Sequence, residues 1–275
     1  MKKHSKSNRT KLSTRFLDQL STTANALSIE AGKMLLRGIH SGKGVKFKGR
    51  IDPVTKFDLR SEKLITTGIR KRFPDHAILA EEGSKSKTDA KSEFRWIIDP
   101  LDGTVNFAHQ FPIYCVSIAC EYRGEVVVGA VYDPERAELF SAKLGHGAFV
   151  NRRRMAVSSE TRLERSLVAT GFAYDIGTAR KNNLGYFMRV AKVVQGVRRP
   201  GSAAIDICWL AAGRVDAFWE LKLHPWDTAA ALLCLHEAGG RSSRMNGAKY
   251  DLHHPDLVAS NSLLHAKMLR LLKRK

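Results

Sequence analysis

The chain has 275 residues, which is enough to bury a core as one large domain or as two closely joined halves. Its hydrophobic content of 43% is typical of globular proteins, and no stretch approaches the ~20 continuous apolar residues that span a bilayer. The formal net charge is +19, but no apolar run and cleavage site follow the basic start at residues 1–6. The sequence therefore argues against a secretory signal peptide and predicts no association with a membrane.

Part of the positive charge is concentrated before residue 16 and after residue 266. Basic ends of this kind are commonly solvated and carry no site. They can also attract nucleic acid, so a contact with RNA or with the transcription machinery stays open. The lack of interleaved aromatic residues, on which bases could stack, favours solvated tails. The cations are Lys2, Lys3, Lys6, Arg9, Lys11 and Arg15 at one end and Lys267, Arg270, Lys273, Arg274 and Lys275 at the other.

The cysteines indicate the cellular compartment. They form no Cys-x-x-Cys pair and lie within apolar runs, as buried free thiols do. We therefore expect a protein of the reducing cytoplasm. The cysteines are Cys115, Cys120, Cys208 and Cys234.

The first part of the chain is predicted to be helical. Apolar residues at steps of three and four predict an amphipathic helix over residues 16–35. The charged, glycine-rich segment 38–44 predicts a mobile loop. A second helix is predicted over residues 59–72, and it ends before Pro74 because the residue before a proline disfavours the helical conformation.

Short apolar runs separated by turn signals predict a β-sheet after these helices. Because most connections between these strands are short, we expect this sheet to be antiparallel. Strands and helices then alternate, which predicts a second, smaller mixed sheet and a mixed α/β (α+β) fold. We expect a basic tail at 1–15, an N-terminal half at 16–155 and a C-terminal half at 156–275. The predicted strands are 76–80, 95–98, 114–122, 125–132, 137–142, 166–170, 215–220 and 257–260, and the later helices are 203–212, 228–238 and 263–272.

The segment 99–104, Asp-Pro-Leu-Asp-Gly-Thr, carries the strongest chemical signal. An apolar strand delivers Asp99 at its end and Asp102 follows after a turn, so both carboxylates can meet at one point. Two carboxylates held close together repel each other unless a cation lies between them. Oxygen ligands of this kind suit Mg²⁺ or Mn²⁺ rather than zinc. Gly103 and Thr104 then open a short helix whose free N–H groups can bind a phosphate.

Two further acidic positions support a metal site. Asp-Pro and Asp-Gly are ordinary turn signals, so the segment 99–104 alone leaves a structural role open. Glu81 and Glu82, however, end another apolar strand. Asp227 stands just before a predicted helix, where it can cap the helix, bind a metal, or do both.

These motifs resemble those of the inositol monophosphatase family. The family's Asp-Pro-(Ile/Leu)-Asp-Gly-Thr signature stands at residues 99–104, and its Trp-Asp and Glu-Ala-Gly-Gly signature stands at 226–227 and 237–240. The resemblance runs from Phe16 to the C-terminal helix. It implies a layered αβαβα sandwich of the type shared with fructose-1,6-bisphosphatases, a homodimer, Mg²⁺-dependent hydrolysis of a phosphate monoester, and inhibition by Li⁺.

The resemblance also implies which residues hold the metal ions, of which it predicts two or three per subunit. Glu81, Asp99 and the backbone carbonyl of Leu101 would hold a first Mg²⁺ ion. Asp99, Asp102 and Asp227 would hold a second, and Glu81 would contribute to a weaker third. Mn²⁺ is an alternative metal for the same oxygen ligands.

Three residues would act on the water that attacks the phosphate. Asp58 and Thr104 match the family residues that orient or activate this water, and Glu81 would assist through its metal. Glu82 would support the metal ligands from behind. The implied reaction is in-line attack of water on the phosphate monoester without a phosphoenzyme, because no cysteine or histidine is placed as an obvious nucleophile.

The segment 198–206 resembles the substrate segment of the family. Its Gly201, Ser202 and Ala203 would line the pocket for the alcohol part of the substrate. Glu220 would hydrogen-bond ring hydroxyls, and Arg198 would contact the substrate. The resemblance assigns phosphate contacts to the metal-site residues Leu101, Asp102, Gly103, Thr104 and Asp227.

The substrate implied by this segment is inositol 1-phosphate. Histidinol-phosphate phosphatases would carry a Gly-Asp pair at 201–202, whereas some fructose-1,6-bisphosphatases share the small residues, so another small ester stays open. A second class of function is an RNA-associated or transcription-complex factor on the same fold, which the charge of +19 would suit. A binding protein with an inactive site is the least supported, because every predicted metal ligand is present.

Overall fold

The computed structural model describes residues 12–39, 45–47, 53–83 and 92–273. Most of the predicted basic tail (residues 1–11) and most of the predicted mobile loop (residues 40–44) therefore lie outside the described residues. The described chain forms two larger β-sheets, a separate pair of short strands, and helices that cover the sheets. None of the helices in these ranges is long and apolar enough to cross a membrane.

Two long helices open the fold. The first, α1 (Thr14–Gly38), buries one apolar face, and Ser13 caps its start by accepting a hydrogen bond from the Phe16 N–H. It packs beside α2 (Lys56–Arg72), whose first turn carries Asp58. Both helices are longer than predicted, because polar residues at their ends continue the helical hydrogen bonds without adding to the apolar pattern.

The strands before residue 155 form a seven-stranded sheet and a separate antiparallel pair, β1 with β2. The sheet follows chain order from β3 to β9, and its neighbours from β4 onward are antiparallel, as predicted. The strands are β1 (Val45–Phe47), β2 (Pro53–Thr55), β3 (Ala77–Ala80), β4 (Phe94–Asp102), β5 (Cys115–Tyr122), β6 (Glu125–Asp133), β7 (Glu138–Lys143), β8 (Ala148–Val150) and β9 (Arg153–Arg154).

One neighbour in this sheet departs from the prediction. β3 runs parallel to β4, so the sheet is not wholly antiparallel. The chain between Ala80 and Phe94 is long enough for the crossover that a parallel pair needs. The connection from β4 to β5, which contains α3, is nearly as long and joins an antiparallel pair, so length alone does not distinguish the two directions.

The chain after residue 155 forms the smaller mixed sheet, which confirms the prediction. Its order is β11-β10-β12-β14-β13; β10 is parallel to both of its neighbours, and the other pairs are antiparallel. These strands are β10 (Leu167–Thr170), β11 (Gly196–Arg198), β12 (Ala217–Glu220), β13 (Arg241–Ser243) and β14 (Leu257–Ser260). The remaining helices are α3 (Thr104–Ala108), a 3₁₀ turn (Leu163–Arg165), α4 (Leu184–Ala191), α5 (Ala203–Ala211), α6 (Pro225–Glu237) and α7 (His265–Lys273).

The helices and sheets stack in five layers. One apolar cluster fills the space between α1, α2 and the seven-stranded sheet. A second lies between the two sheets around α5 and α6, which pack against each other there. A third joins the smaller sheet to α4 and α7. The predicted αβαβα layering is therefore confirmed, and the four cysteines are buried free thiols, as expected.

The elements that the sequence did not predict are short. The strands β1, β2, β8, β9, β11 and β13 have two or three residues each, which is too few to show an alternation of apolar and polar side chains. α4 has eight residues and follows a polar stretch, so its apolar pattern is brief. These elements depend on their neighbours in the sheets and layers rather than on a local signal.

Close contact between β6 and α6 leads to a prediction about stability. A Cβ atom on Gly129 would lie 2.6 Å from the backbone oxygen of Ala230, so a larger residue would push α6 from the sheet. We expect Gly129→Ala to lower the free energy of unfolding by about 1–3 kcal/mol. Gly177→Ala is the matched control, because nothing lies within 4 Å of its added Cβ. Urea unfolding of both variants checks this; equal midpoints would contradict it.

The buried His265 leads to a prediction about pH. Its ring nitrogens lie 3.1 Å from Ser260 Oγ and 2.9 Å from Ser243 Oγ, and burial lowers its pKa from 6.5 to about 4. Between these values the unfolded chain binds more protons, so the free energy of unfolding falls as the pH falls from 6.5 to 4. His265→Asn should reduce the slope of the free energy of unfolding against pH by the equivalent of up to one bound proton. An unchanged slope in chemical denaturation at several pH values would show that His265 is not responsible.

Candidate functional site

The predicted turn at Pro100 is a bulge within β4. β4 pairs with β5 on both sides of this point, and the register shifts between Asp99 and Asp102. A proline fits here because a bulge leaves one residue without its ladder hydrogen bond. Strand β4 therefore continues beyond its predicted end at Ile98, and its irregular final residues carry the carboxylates of Asp99 and Asp102.

All four side chains that the sequence assigned to the metal ions line one cavity of about 490 Å³. Glu81 follows β3, Asp99 and Asp102 lie on the bulge of β4, and Asp227 lies in the first turn of α6. Leu101, whose carbonyl was the fifth predicted ligand, lines the same cavity. The cavity is therefore bordered by elements from both halves of the chain.

Burial dominates the electrostatics of this wall, and crowding of like charges adds to it. Burial raises the pKa of Asp99 well above its usual range, and Glu81, Asp102 and Asp227 raise it further. Burial also raises the pKa of Asp227, with added repulsion from Asp102 and Glu81. Carboxylates in this position hold their charges together only when a cation offsets the repulsion.

Each aspartate is already anchored by one oxygen. Asp102 Oδ2 accepts hydrogen bonds from Ser202 Oγ at 2.7 Å and from the Ala204 N–H at 2.8 Å. Asp99 Oδ1 accepts from the Leu101 N–H at 3.0 Å. Asp227 is not the helix cap that was one reading of the sequence: it stands in the third position of α6, and its Oδ2 accepts from the backbone N–H of the capping residue, at 2.7 Å.

The donor set fits a hard divalent cation by its chemistry. All the candidate donors are oxygens, which Mg²⁺, Mn²⁺ and Ca²⁺ prefer, and their mutual repulsion is what such an ion relieves. Within the described ranges, however, no three acidic, histidine or cysteine side chains are arranged closely enough to hold a metal ion as they stand.

The predicted water-orienting pair is in contact. Thr104 Oγ1 lies 3.1 Å from Asp58 Oδ1 and 3.0 Å from the carbonyl oxygen of Leu101, and it donates to one or both. Asp58 is 1% exposed, and Thr104 lines the cavity. Gly103 before it has φ +97°, and a Cβ there would lie 2.9 Å from the backbone oxygen of Ile113, so only glycine fits this turn.

Another part of the cavity lining, in contact with Asp102 through Ser202, contains the residues predicted to bind the alcohol part of the substrate. Gly201, Ser202 and Ala203 line it at the start of α5, and Glu220 lines it at the end of β12. Burial raises the pKa of Glu220 to about 8, with a further contribution from Asp102, while Arg199 acts in the opposite direction.

Three predicted residues lie outside the cavity lining, and one of them, the buried Asp58, reaches it only through its contact with Thr104. Arg198 is exposed on β11 and does not border the cavity, whereas its neighbour Arg199 does. Glu82 does not border it either; its backbone N–H donates to Glu62 Oε2 at 2.8 Å, which ties the end of β3 to α2.

Sequence reasoning missed one wall of the cavity. Residues 171–175 line it directly after β10, as does Asp206 on α5, which is buried. The segment between Glu220 and Asp227 also contributes. It includes Trp226, in the first turn of α6, whose ring stacks on that of His224. A signal was available for part of this wall, because β10 and β12 are parallel and the carboxyl ends of parallel strands commonly border ligand sites.

The comparisons with known proteins agree with this geometry. The profile of the inositol monophosphatase family matches residues 17–275. An inositol-1-monophosphatase from Synechocystis sp. is 44% identical over 230 residues, which cover 83% of this chain and 79% of that protein. The Nus factor SuhB of Pseudomonas aeruginosa is 40% identical over 237 residues, covering 84% and 88%. The solved extragenic suppressor protein suhB of Bartonella henselae gives a TM-score of 0.88 at 37% identity, covering 93% of this chain and 99% of that one.

The family profile spans nearly the whole chain, and relatives of this similarity cover most of it. The site combines the carboxylate wall with Thr104 in one cavity, and Thr104 contacts the buried Asp58 behind it. The chain therefore belongs to the inositol monophosphatase family, a family of phosphatases.

Proposed function

We propose that the chain is a Mg²⁺-dependent phosphomonoesterase that hydrolyses inositol 1-phosphate to inositol and phosphate. The observation that carries this proposal is the presence of four acidic side chains in one cavity, beside the contact between Thr104 and Asp58. The inositol-1-monophosphatase from Synechocystis sp. supports the choice of substrate through its name. Fructose 1,6-bisphosphate and histidinol phosphate are the alternative esters.

In this proposal the acidic wall holds the metal ions. Glu81, Asp99 and the Leu101 carbonyl would bind one ion, and Asp102 and Asp227 would share a second with Asp99. When bound, Mg²⁺ supplies a lowered pKa for a water molecule and positive charge beside the phosphate. The anchored oxygens of the aspartates leave the other oxygen of each carboxyl group for this role.

The chain's own residues would orient the reactants. Asp58 is buried and accepts the hydrogen bond of Thr104, which leaves a lone pair of the Thr104 hydroxyl to accept a hydrogen bond from the attacking water. As Thr104 Oγ1 takes a proton from this water, its own proton would pass to Asp58 Oδ1. Gly103 exposes backbone beside the phosphate position. In the other part of the lining, Ser202 and Glu220 would hydrogen-bond the hydroxyls of the alcohol. Arg199, which borders the cavity, is better supported as an anion contact than Arg198.

We further propose that the protein is a homodimer of the cytoplasm and that its chain divides into two halves at residue 155. Exposed apolar side chains on α4 and after α3, namely Leu184, Met188 and Phe111, would be covered in a homodimer. Division into halves at residue 155 agrees with the separate origins of the two sheets. The cytoplasm is proposed because the four buried cysteines are free thiols.

Phosphate release tests the proposal. The substrates are inositol 1-phosphate, fructose 1,6-bisphosphate, histidinol phosphate and adenosine 3′,5′-bisphosphate, each with Mg²⁺ and with EDTA. We expect Mg²⁺-dependent turnover that favours inositol 1-phosphate, and a loss of more than about 100-fold in kcat/KM for Asp99→Asn. Asp18→Asn, which removes an exposed carboxylate on α1, should retain full activity.

Thermal unfolding separates metal binding from catalysis. Mg²⁺ should raise the Tm of the wild type and of Asp18→Asn but not that of Asp99→Asn, since only a ligand bound to the folded state stabilises it. Turnover that persists in EDTA would contradict the metal assignment. A preference for a sugar bisphosphate would overturn only the substrate.

A second candidate function is contact with nucleic acid. The relative in Pseudomonas aeruginosa is named a Nus factor, and the charge of +19 suits a polyanionic partner. The basic tails were the predicted contact, but α2 offers a better-defined surface. Its exposed side carries five cations, which we call the α2 stripe: Lys56, Arg60, Lys63, Arg70 and Lys71.

The pattern of the α2 stripe is unfavourable for the helix itself. At 3.6 residues per turn the five cations fall within about 100° of one another, along a helix of about 26 Å. Both acidic residues of α2, Asp58 and Glu62, are buried on the opposite side. Lys56 and Arg60 lie one turn apart near the N-terminal end, where the helix dipole disfavours cations and like charges repel. Such an arrangement is expected where an external polyanion offsets the repulsion.

Charge-matched variants test this surface. We expect Arg60→Gln/Lys63→Gln/Arg70→Gln to weaken binding of a labelled RNA duplex and to reduce the slope of log K against log salt by about 0.7–0.9 per lost phosphate contact. The control is Lys192→Gln/Arg241→Gln/Lys249→Gln, which removes the same charge from exposed positions in the part of the chain that forms the smaller sheet, outside both basic tails. Equal effects of both triples would indicate only nonspecific attraction, and loss of binding on deleting residues 1–11 would assign the contact to the tail.

A further inference from the structure

Asn183 is a buried amide that joins the two strand ends on the alcohol side of the cavity. It is 3% exposed and stands just before α4. Its Nδ2 donates to Thr170 Oγ1 at 2.8 Å and to the Gly171 carbonyl at 2.6 Å. Its Oδ1 accepts from Trp219 Nε1 at 2.6 Å. One side chain thus connects the end of β10 with the end of β12.

These hydrogen bonds hold the chain next to Glu220 at two points: Trp219, which precedes it in β12, and Gly171, which lies beside it after β10. Thr170 Oγ1 donates to the Trp219 carbonyl at 2.6 Å, so the network closes directly before Glu220. A Cβ on Gly171 would lie 2.2 Å from Glu220 Oε1, which means that the Glu220 carboxylate rests against the Gly171 backbone. A shift of Gly171 relative to β12 would therefore move the carboxylate or give it new freedom.

Only an asparagine side chain of this length supplies both kinds of contact at this position. Its amide gives two N–H donors to oxygens and one acceptor to the indole, and all three are used. An aspartate would retain the acceptor but lose both donors, and it would bring a carboxylate oxygen against the Gly171 carbonyl. The network is therefore sensitive to a change that hardly alters volume.

We propose that Asn183 is a positioning residue that sets the Glu220 carboxylate and thereby the selectivity for phosphate esters of polyhydroxylated alcohols. This inference rests on the proposed phosphatase function. The carboxylate wall and the Thr104–Asp58 pair lie on other elements. A substitution at Asn183 should therefore change the binding of the alcohol part of the substrate but not the position of the phosphate or of the attacking water. A merely structural role would instead affect all esters alike.

The test compares Asn183→Asp with Asn182→Asp, the same chemical change one residue earlier. Asn182 donates to the Ala179 carbonyl and accepts from the Leu184 N–H, away from Glu220. Kinetics with Mg²⁺ use inositol 1-phosphate and p-nitrophenyl phosphate, whose alcohol has no further hydroxyl. For Asn183→Asp we expect KM for inositol 1-phosphate to rise about tenfold with kcat nearly unchanged, since a lost hydrogen bond to substrate weakens binding by roughly this factor. p-Nitrophenyl phosphate kinetics should not change, and Asn182→Asp should match the wild type with both esters.

A double-mutant cycle decides whether the effect passes through Glu220. In a Glu220→Gln background, Asn183→Asp should add little further loss. Thr170→Val, which removes the shared hydroxyl while keeping the shape, gives a second disturbance of the network should Asn183→Asp fail to fold. Equal losses with both esters, or an additive cycle, would overturn the inference while leaving the phosphatase intact. A wild type inactive towards both esters would overturn the proposed function and this inference with it.

Discussion

Repulsion among buried carboxylates is the constraint on which the rest of the site depends. Burial raises the pKa values of Asp99, Asp102 and Asp227, and repulsion from the neighbouring carboxylates raises those of Asp99 and Asp227 further. No helix or strand would bring such groups together for its own stability. The fold does so by fixing one oxygen of each aspartate with a hydrogen bond from backbone or side chain. Holding these carboxylates together therefore lowers the free energy of unfolding, and it creates a region of high negative charge density.

The layered architecture determines which elements can meet at this place. The seven-stranded sheet contributes the bulge of β4, where a proline leaves the ladder irregular. The layer between the sheets contributes the starts of α5 and α6, and their free N–H groups face the aspartates. The smaller sheet contributes the ends of β10 and β12. Because Asp102 on β4 is anchored by the start of α5, and the cavity lining comes from both sheets and the layer between them, the cavity forms only when these layers are assembled.

The sequence revealed the chemistry of the site better than its shape. The acidic residues that line the cavity could be predicted because Asp and Glu at strand ends and helix starts are unusual and follow recognisable motifs. The bulge at Pro100 could not, since a strand end and a bulge show the same local pattern. Asn183 and the loop that follows Gly171 gave no signal either, because an asparagine in a polar stretch looks like an ordinary loop residue. Its role depends on contacts with Trp219, which is distant in the chain.

Long-range contacts also explain why Arg199 and Arg198 were not distinguished. Arg198 ends β11 and Arg199 follows it outside the strand, so the point at which β11 stops pairing with β10 separates the two residues. The strand pattern of three residues was too brief to show this. In the same way, β3 was predicted correctly in extent but not in direction, because direction depends on a connection rather than on the strand itself.

Helix α2 joins the two proposed functions physically. Its buried side holds Asp58 against Thr104, and Glu62 accepts the Glu82 N–H beside the end of β3. Its exposed side is the α2 stripe. A polyanion on the stripe would relieve repulsion between cations and hold the first turn of the helix more firmly, and this turn is the one that carries Asp58. Binding of a polyanion to the α2 stripe and positioning of Asp58 on the buried side would then favour the same conformation of α2. The two functions could therefore exist together in one protein.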